Sequence, residues 1–573
     1  MHRRNLPAFL LAIAVIVCPL PGKAAARPNI VLITLGSTRA DRMGFLGAKA
    51  KITPKLDAVA SQAMIFEQAY SQAPLTVVSH ATILSGTYPQ TNRASELGNR
   101  LAPSLPFVPD LLRARGYRTA AFIGSIALDP KNGFAPGFDR GFAVYDAGFH
   151  PPERGKNSST SVARRGSEVA SRASQWIARN SQAPFFLWMH LNDPEAASGV
   201  SYNAAIADAD AAVGKPIAAL RAGKLYDDAL IVIAADHGQS LGAHGEETHG
   251  IFLYDETARV PVIVKLPQNQ SAGKRVRARA SLVDIAPTIL EVAGVAVPSQ
   301  MQGQSLLRIA KAAPGTDQPV YCASAFPQQA FGWSALESWR AGKYLYIRAP
   351  QPELYDLLAD PGAKRNLAQN SKATLETIAA QLDAFDRRFS GSGAAADGSQ
   401  LTSSEMQKLA SLGYVGLQKS GSPTSTAVSG IDPKDGIATA NKILLAQRLL
   451  NDGMPEKAVA ALQPLMAAAA SKMYLAQYVM GASLAQQGQY PQAIERLRSA
   501  IELQPDSAWA HYQMGSSLLH SGDYKTAIVH LEIASSRLPD FAAAHSLLAQ
   551  AYDRLGRSDD AKRERARAAA VDN

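Results

Sequence analysis

Leu230-Ile231-Val232-Ile233-Ala234-Ala235-Asp236-His237-Gly238 is the stretch that decides how this chain folds. Its apolar run has no polar alternation, as a strand covered on both faces requires. Runs of the same kind recur at Ile30–Leu35, Thr119–Ile123, Phe185–Met189 and Val262–Val264. Helical segments lie between them, as at Leu56–Ala63 and Ala204–Leu220. Unbroken apolar strands alternating with helices predict an α/β domain on a mostly parallel sheet. In such sheets chemistry gathers beyond the carboxyl ends of the strands, and that is where Asp236 and His237 stand.

Other residues fall at or near strand ends. Gly36-Ser37-Thr38-Arg39-Ala40-Asp41 follows the first strand, and His244, Glu246, Glu247 and His249 follow Gly238 at short distance. Mixed carboxylate and imidazole donors suit a divalent metal. Ala73 to Gly86 reads as a turn leading into a helix that carries Thr76, Ser79, His80 and Thr82. Such hydroxyls either cap the helix or, with a metal beside them, supply a nucleophile whose anionic target rests on helix N–H groups. Bland roles suit the remaining conspicuous residues. Trp188 belongs to the core, Asp41 pairs with Arg39 or caps a helix, Asp255 pairs with Arg259 one turn on, and Cys322 is buried and inert.

The 573 residues exceed one domain. A hydrophobic fraction of 47% with 18% charged residues excludes a disordered chain. Two cysteines exclude a disulfide scaffold. The net charge of +10 is spread without a basic block, which argues against nucleic acid. Arg3, Arg4, the apolar run Leu10–Val17 and Ala24-Ala25-Ala26 form a secretory signal over 1–26. The mature chain is therefore expected in the periplasm or outside the cell. Residues 27–388 make the α/β domain, and 389–435, rich in Ser, Gly and Thr, read as a linker. In 436–573, Gly488, Gly522 and Gly556 recur every 34 residues, as do Ala493, Ala527 and Ala561. That period is the tetratricopeptide signature of an all-α helical solenoid. An earlier, degenerate repeat is expected near 437–470, around Gly453 and Ala458. Such a stack binds a protein or peptide partner, or else caps the fold or brings two chains together as a homo-oligomer.

Longer stretches carry a family resemblance. RPNIVLIT (27–34), STRADRMGFLG (37–47), TPKLDAVA (53–60) and AYSQAPLTVVSHATILSGTYP (69–89) are the first of them. PFFLWMHLNDP (184–194), the stretch 230–264, LVDIAPTILEVAG (282–294) and PELYDLLADPGAKRNL (352–367) complete the series. In order and spacing the chain resembles the sulfatase branch of the alkaline phosphatase superfamily, over about 27–370. The resemblance implies a hydrolase of sulfate or phosphate esters that uses a divalent ion (Ca, Mg, Mn or Zn). It places Thr76 at the nucleophile and Asp236 and His237 at metal-ligand positions. His249 falls near a further metal or substrate position. His80 is expected to act catalytically, binding with His249 a second metal or the ester oxygens, and Ser79 and Glu195 are expected to bind the substrate.

Three departures stand out. Thr76 occupies the position where sulfatases oxidise Cys or Ser to formylglycine. Oxidised threonine would be a ketone, so a formylglycine sulfatase is not expected. Gly36 stands where the family has a metal-binding aspartate. Glu195 follows Asp193-Pro194 where the family has histidine. Losing even an outer-shell partner of a metal costs about 10–100-fold. Two functions follow: an exported hydrolase with altered activity, or an inactive relative that acts by binding and scaffolding through its repeats.

Overall fold

The computed structural model describes residues 27–94, 101–130, 135–147, 164–196, 200–313, 316, 318–389, 430–467, 469–537 and 541–571. The expected signal at 1–26 and most of the expected linker lie outside the described residues.

Among the described residues, nine strands form one sheet: β1 Ile30–Leu35, β2 Met64–Tyr70, β3 Arg118–Ile123, β4 Val144–Asp146, β5 Phe185–Leu191, β6 Leu230–Ala235, β7 Arg259–Lys265, β8 Arg275–Val276 and β9 Ala280–Ser281. Their order is β4-β3-β5-β1-β6-β7-β2-β8, with β9 also on β2. Only β7 runs against its neighbours. The central strands β1, β5 and β6 are buried along their whole length, which is why their sequences lack a polar face. Four more strands, β10 Val320–Ser324, β11 Leu336–Ala341, β12 Tyr344–Arg348 and β13 Glu353–Asp356, make a separate antiparallel sheet.

The helix Asp255–Ala258 is a single turn, and Arg259 already belongs to β7. Asp255 therefore does not meet Arg259 as helix neighbours would. It accepts from the buried Arg340 at 3.3 Å, while Arg259 donates to the Glu67 carbonyl at 2.7 Å. Arg39 and Asp41 do pair, through two bonds of 2.8 and 2.9 Å. Cys322 is fully buried, which pushes its thiol up to about 12. Reactivity needs thiolate, so this cysteine is inert.

The C-terminal helices pair as the 34-residue period requires. Gly453, Gly488, Gly522 and Gly556 all take positive φ, between 72° and 90°, where the chain turns from one helix to the next. Ala458, Ala493, Ala527 and Ala561 are fully buried. The first helix, Pro433–Asn451, begins inside the stretch read as linker. Within a repeat the helices touch at glycine. A Cβ on Gly515 would lie 2.5 Å from Leu531 Cγ and 3.1 Å from the Ala527 carbonyl, and one on Gly481 would lie 2.7 Å from Leu497 Cγ. Gly515→Val is expected to force the pair apart and cost about 1–3 kcal/mol, read as a lowered thermal midpoint.

The repeats share a core with the α/β domain. One apolar cluster runs from Leu75, Ile251, Phe326, Phe331 and Trp333 into Ala440, Ile443, Tyr474 and Val479. The helix Tyr474–Gln486 packs on the α/β-domain helix Phe326–Phe331 and is buried from Tyr474 to Leu484. No helix among the described residues is long and apolar enough to cross a membrane.

Candidate active site

Three adjacent strands deliver the site. In register, Thr34 of β1 sits beside His190 of β5 and Ala234 of β6. Gly36, Asn192, Asp236 and His237 follow these strands directly. The helix Thr76–Ser85 lies over the strand ends, and all ten of its residues are buried. Thr76 is its first residue, so this hydroxyl stands at the helix N-terminus, where the helix dipole favours negative charge.

Asp236 is fixed through one oxygen. Its Oδ1 accepts from the amides of Ser37 at 3.0 Å and His237 at 2.7 Å. Its Oδ2 lies 3.8 Å from both His80 Nδ1 and His237 Nε2. The Gly238 carbonyl is 2.9 Å from His237 Nδ1, so Nδ1 carries the proton and donates. That leaves a lone pair on Nε2, and Thr76 Oγ1 stands 3.2 Å from it. The structure thus brings Thr76, Asp236 and His237 into one cluster.

His80 donates from Nδ1 to the Thr76 carbonyl at 2.7 Å, and its Nε2 is 3.0 Å from Thr34 Oγ1. Trp188 Nε1 and His190 Nδ1 each lie 3.0 Å from the same hydroxyl. A hydroxyl has one proton and two lone pairs. With His80 neutral, Thr34 donates to His80 Nε2 and accepts from Trp188 and His190. Trp188, read as core, is buried as expected but also holds this hydroxyl. Burial, with His80 and His237 nearby, holds His190 well below the usual histidine range. His190 is therefore a neutral imidazole with its lone pair on Nε2.

Donor atoms of His80, His190 and Asp236 all lie within 4.8 Å of one another, but both His80 nitrogens are engaged, by the Thr76 carbonyl and by Thr34, which leaves His190 with Asp236. Carboxylate oxygen with neutral imidazole nitrogen is a donor set for a divalent ion. Separations of 3.2 Å (Thr76 to His237) and 3.8 Å (His237 to Asp236) also match the spacing of ligands around a bond of about 2.0–2.2 Å. The residues present fit such an ion. Asp236 is common to both groupings.

Other expected site residues border this cluster. Ser79 Oγ lies 2.9 Å from the carbonyls of Ala73 and Asp236, tying the helix to the end of β6. The His249 ring lies tilted against His237 with centroids 4.3 Å apart, and its Nδ1 is 3.1 Å from the Pro74 carbonyl. The side chain of Glu195 lies outside the described residues. Sequence reasoning missed His190, Thr34 and Asn192.

The loop that carries His249 is held from both ends. The Glu246 carboxylate accepts from the amides of Ile251 and Phe252, and burial pushes it up to about 7. From the first repeat helix, Asn441 donates to the Gly245 carbonyl at 2.6 Å and accepts from the Glu247 amide at 3.2 Å. Asn441→Ala should cost about 1 kcal/mol. Faster amide exchange in 242–250, with the rest of the sheet unchanged, would report it.

Residues 28–295 match the Sulfatase family, and 247–387 match the family described as N-sulphoglucosamine sulphohydrolase, C-terminal. Residues 481–522 and 518–573 match tetratricopeptide families. The chain is a sulfatase-like protein with C-terminal tetratricopeptide repeats. Among curated relatives of this sulfatase-like chain, an ulvan-active sulfatase of Formosa agariphila is 25% identical over 62% of the chain and 80% of its own length. A delta 4,5-hexuronate-2-O-sulfatase of Bacteroides thetaiotaomicron is 24% identical over 62% and 88%. Two solved structures share the fold. A phosphonate monoester hydrolase of Agrobacterium radiobacter has TM-score 0.52 at 19% identity, covering 63% of this chain and 96% of that one. A 2-O GAG sulfatase has TM-score 0.51 at 21% identity, covering 64% and 93%.

Proposed function

We propose that this sulfatase-like chain is an exported hydrolase of sulfate or phosphate esters, with Thr76 as its nucleophile. The observation that carries the reading is the Thr76 hydroxyl on the His237 lone pair, beside the buried Asp236, at the end of the central strands. Asp236 and His237 would hold the divalent ion, which when bound lowers the pKa of a hydroxyl and neutralises ester oxygens. Thr76 Oγ1, its proton released to solvent, attacks sulfur or phosphorus in line, the bond to the alcohol oxygen breaks, and the alcohol leaves with a proton from solvent. Water then cleaves the threonyl ester and restores the hydroxyl. The N-terminus of the helix that begins at Thr76 favours the anion through its dipole. His80, anchored at Thr34 and at the Thr76 carbonyl, holds the first turn of that helix in place. Threonine cannot become formylglycine, so the residue acts unmodified.

The curated relatives named above point to sulfated polysaccharides as the substrate class. The tetratricopeptide array would recruit a protein partner through its later repeats, since the early ones pack on the hydrolase domain. A second reading, a binding protein without turnover, is favoured by Gly36, which brings no carboxylate to the site. The test is an assay of the purified chain, with and without divalent ions, on 4-nitrophenyl sulfate, 4-nitrophenyl phosphate, bis(4-nitrophenyl) phosphate and sulfated oligosaccharides. Turnover that depends on Thr76 supports the hydrolase. No turnover on any of them supports the second reading.

A further inference from the structure

Gly36 leaves more than a missing ligand. It leaves a space, and that space is filled. A Cβ built on Gly36 would run into Asn192 Oδ1, well inside van der Waals contact. The separation is the one that an aspartate's own carboxylate oxygens keep from its Cβ, about 2.4 Å by ordinary bond lengths. Asn192 Oδ1 thus stands at the range from position 36 where a carboxylate oxygen of an aspartate there would stand. It comes from the neighbouring strand end, because Asn192 follows β5 directly while the Gly36 amide is bonded to the Leu191 carbonyl at 2.8 Å.

The surroundings of this oxygen are unusual. Asn192 is 3% exposed, and its Oδ1 has no hydrogen-bond partner among the described residues. The same holds for Ser37 Oγ and His190 Nε2. Asn192 stands within hydrogen-bond reach of His190, but with the His190 proton on Nδ1 toward Thr34, Nε2 has none to give Oδ1. Ser37 also takes a left-handed φ of 47°, a strained conformation for serine. It keeps its amide on Asp236 Oδ1 there. Three buried lone-pair atoms without hydrogen-bond partners, on residues at the ends of β1 and β5, are costly unless something binds them. Two are hard oxygens and one is an imidazole nitrogen, the donors a divalent cation takes.

We propose that Asn192 replaces the family's metal-binding aspartate at Gly36: its amide oxygen, delivered from the end of β5, ligates the divalent ion together with Asp236. The inference rests on the ion-dependent reading of the site given above. It deepens that reading by making Gly36 and Asn192 one exchange. A side chain at 36 and the Asn192 amide in its present rotamer cannot occupy the space together. The exchange removes one negative charge, so the ion is bound through a single strand-end carboxylate. Affinity for divalent ions follows the charge of the ligand set, which makes this site weaker than one with an aspartate there.

The test is calorimetric titration of the full chain, stripped with chelator, with Mg²⁺, Mn²⁺, Ca²⁺ and Zn²⁺. Wild type is compared with Asn192→Ala, Asn192→Asp, Gly36→Asp and the double variant Gly36→Asp/Asn192→Ala, and circular dichroism checks the folding of each. Asn192→Ala is expected to weaken binding at least 10-fold, and Asn192→Asp to tighten it. Gly36→Asp alone should gain little, because the new side chain must push the Asn192 amide off the position it holds. The double variant should bind at least as tightly as wild type. Should Asn192→Ala fail to fold, the Asn192→Asp and double variants still decide the matter. Equal binding by wild type and Asn192→Ala, or tighter binding by Gly36→Asp alone, overturns the exchange but leaves the hydrolase reading intact. A wild type that binds none of the four ions yet shows Thr76-dependent turnover overturns the exchange as well. No binding and no turnover overturns both.

Discussion

Thr76→Ala is expected to abolish ester turnover, lowering kcat/KM on the order of 10³-fold or more, as removal of a nucleophile does elsewhere. The expectation follows from where the hydroxyl sits. It is 3% exposed, so bulk water has little claim on it, and its partner is the Nε2 of His237, whose other nitrogen is committed to the Gly238 carbonyl. Losing Oγ1 removes one hydrogen bond, worth about 1 kcal/mol. The variant should therefore fold, and circular dichroism would show it. Thr76→Ser keeps the attacking oxygen and should keep measurable turnover. Asp236→Asn separates the roles further. It preserves the acceptor for the Ser37 and His237 amides but removes the charge, so it should lose ion affinity while Thr76→Ala keeps much of it. A Thr76→Ala chain that works at the wild-type rate would take threonine out of the reaction.

How much of this was legible in the sequence depends on the kind of physics involved. β1, β5 and β6 could be read because burial on both faces removes alternation, a property each strand carries alone. Asp236 and His237 could be read because they close such a strand. The tetratricopeptide turns could be read because each glycine meets the same local need, a positive φ between helices. Thr34 and His190 escaped because they look like flaws in apolar strands. Yet they lie opposite each other in the β1–β5 register. A polar residue at the same level of two adjacent buried strands was the available signal. Asn192 escaped for a different reason. Gly36 reads as a loss until the neighbouring strand end is seen to fill it, and no local pattern pairs positions 36 and 192.

Removing the repeats, by ending the chain after residue 388, is expected to yield a protein that aggregates instead of a smaller active enzyme. A repeat array joined by a linker would leave the hydrolase domain whole. Here it would not. Gly436 of the first repeat helix packs directly on the Trp333 ring, and Ile437 packs on Gly245. Lys434 reaches the buried Glu353 at 2.7 Å, and the Gln351 amide bonds to Asp432 at 3.0 Å. Trp333, Phe331 and Phe326 belong to the cluster that continues into the repeats, and each such side chain contributes about 1.5–3 kcal/mol through burial. Truncation also leaves the Glu353 carboxylate without Lys434, and unpairing a buried charge costs more than the pair contributes. The intact chain should therefore melt in a single calorimetric transition that includes the repeats. Separate transitions, or a soluble truncated domain with the full chain's thermal midpoint, would show that the shared core is not cooperative. The same contact runs to the site, since Asn441 grips the loop at Gly245 and Glu247, and the ring of His249 in that loop packs against His237. Any partner that displaces the first repeat helix must therefore disturb the residues facing Thr76.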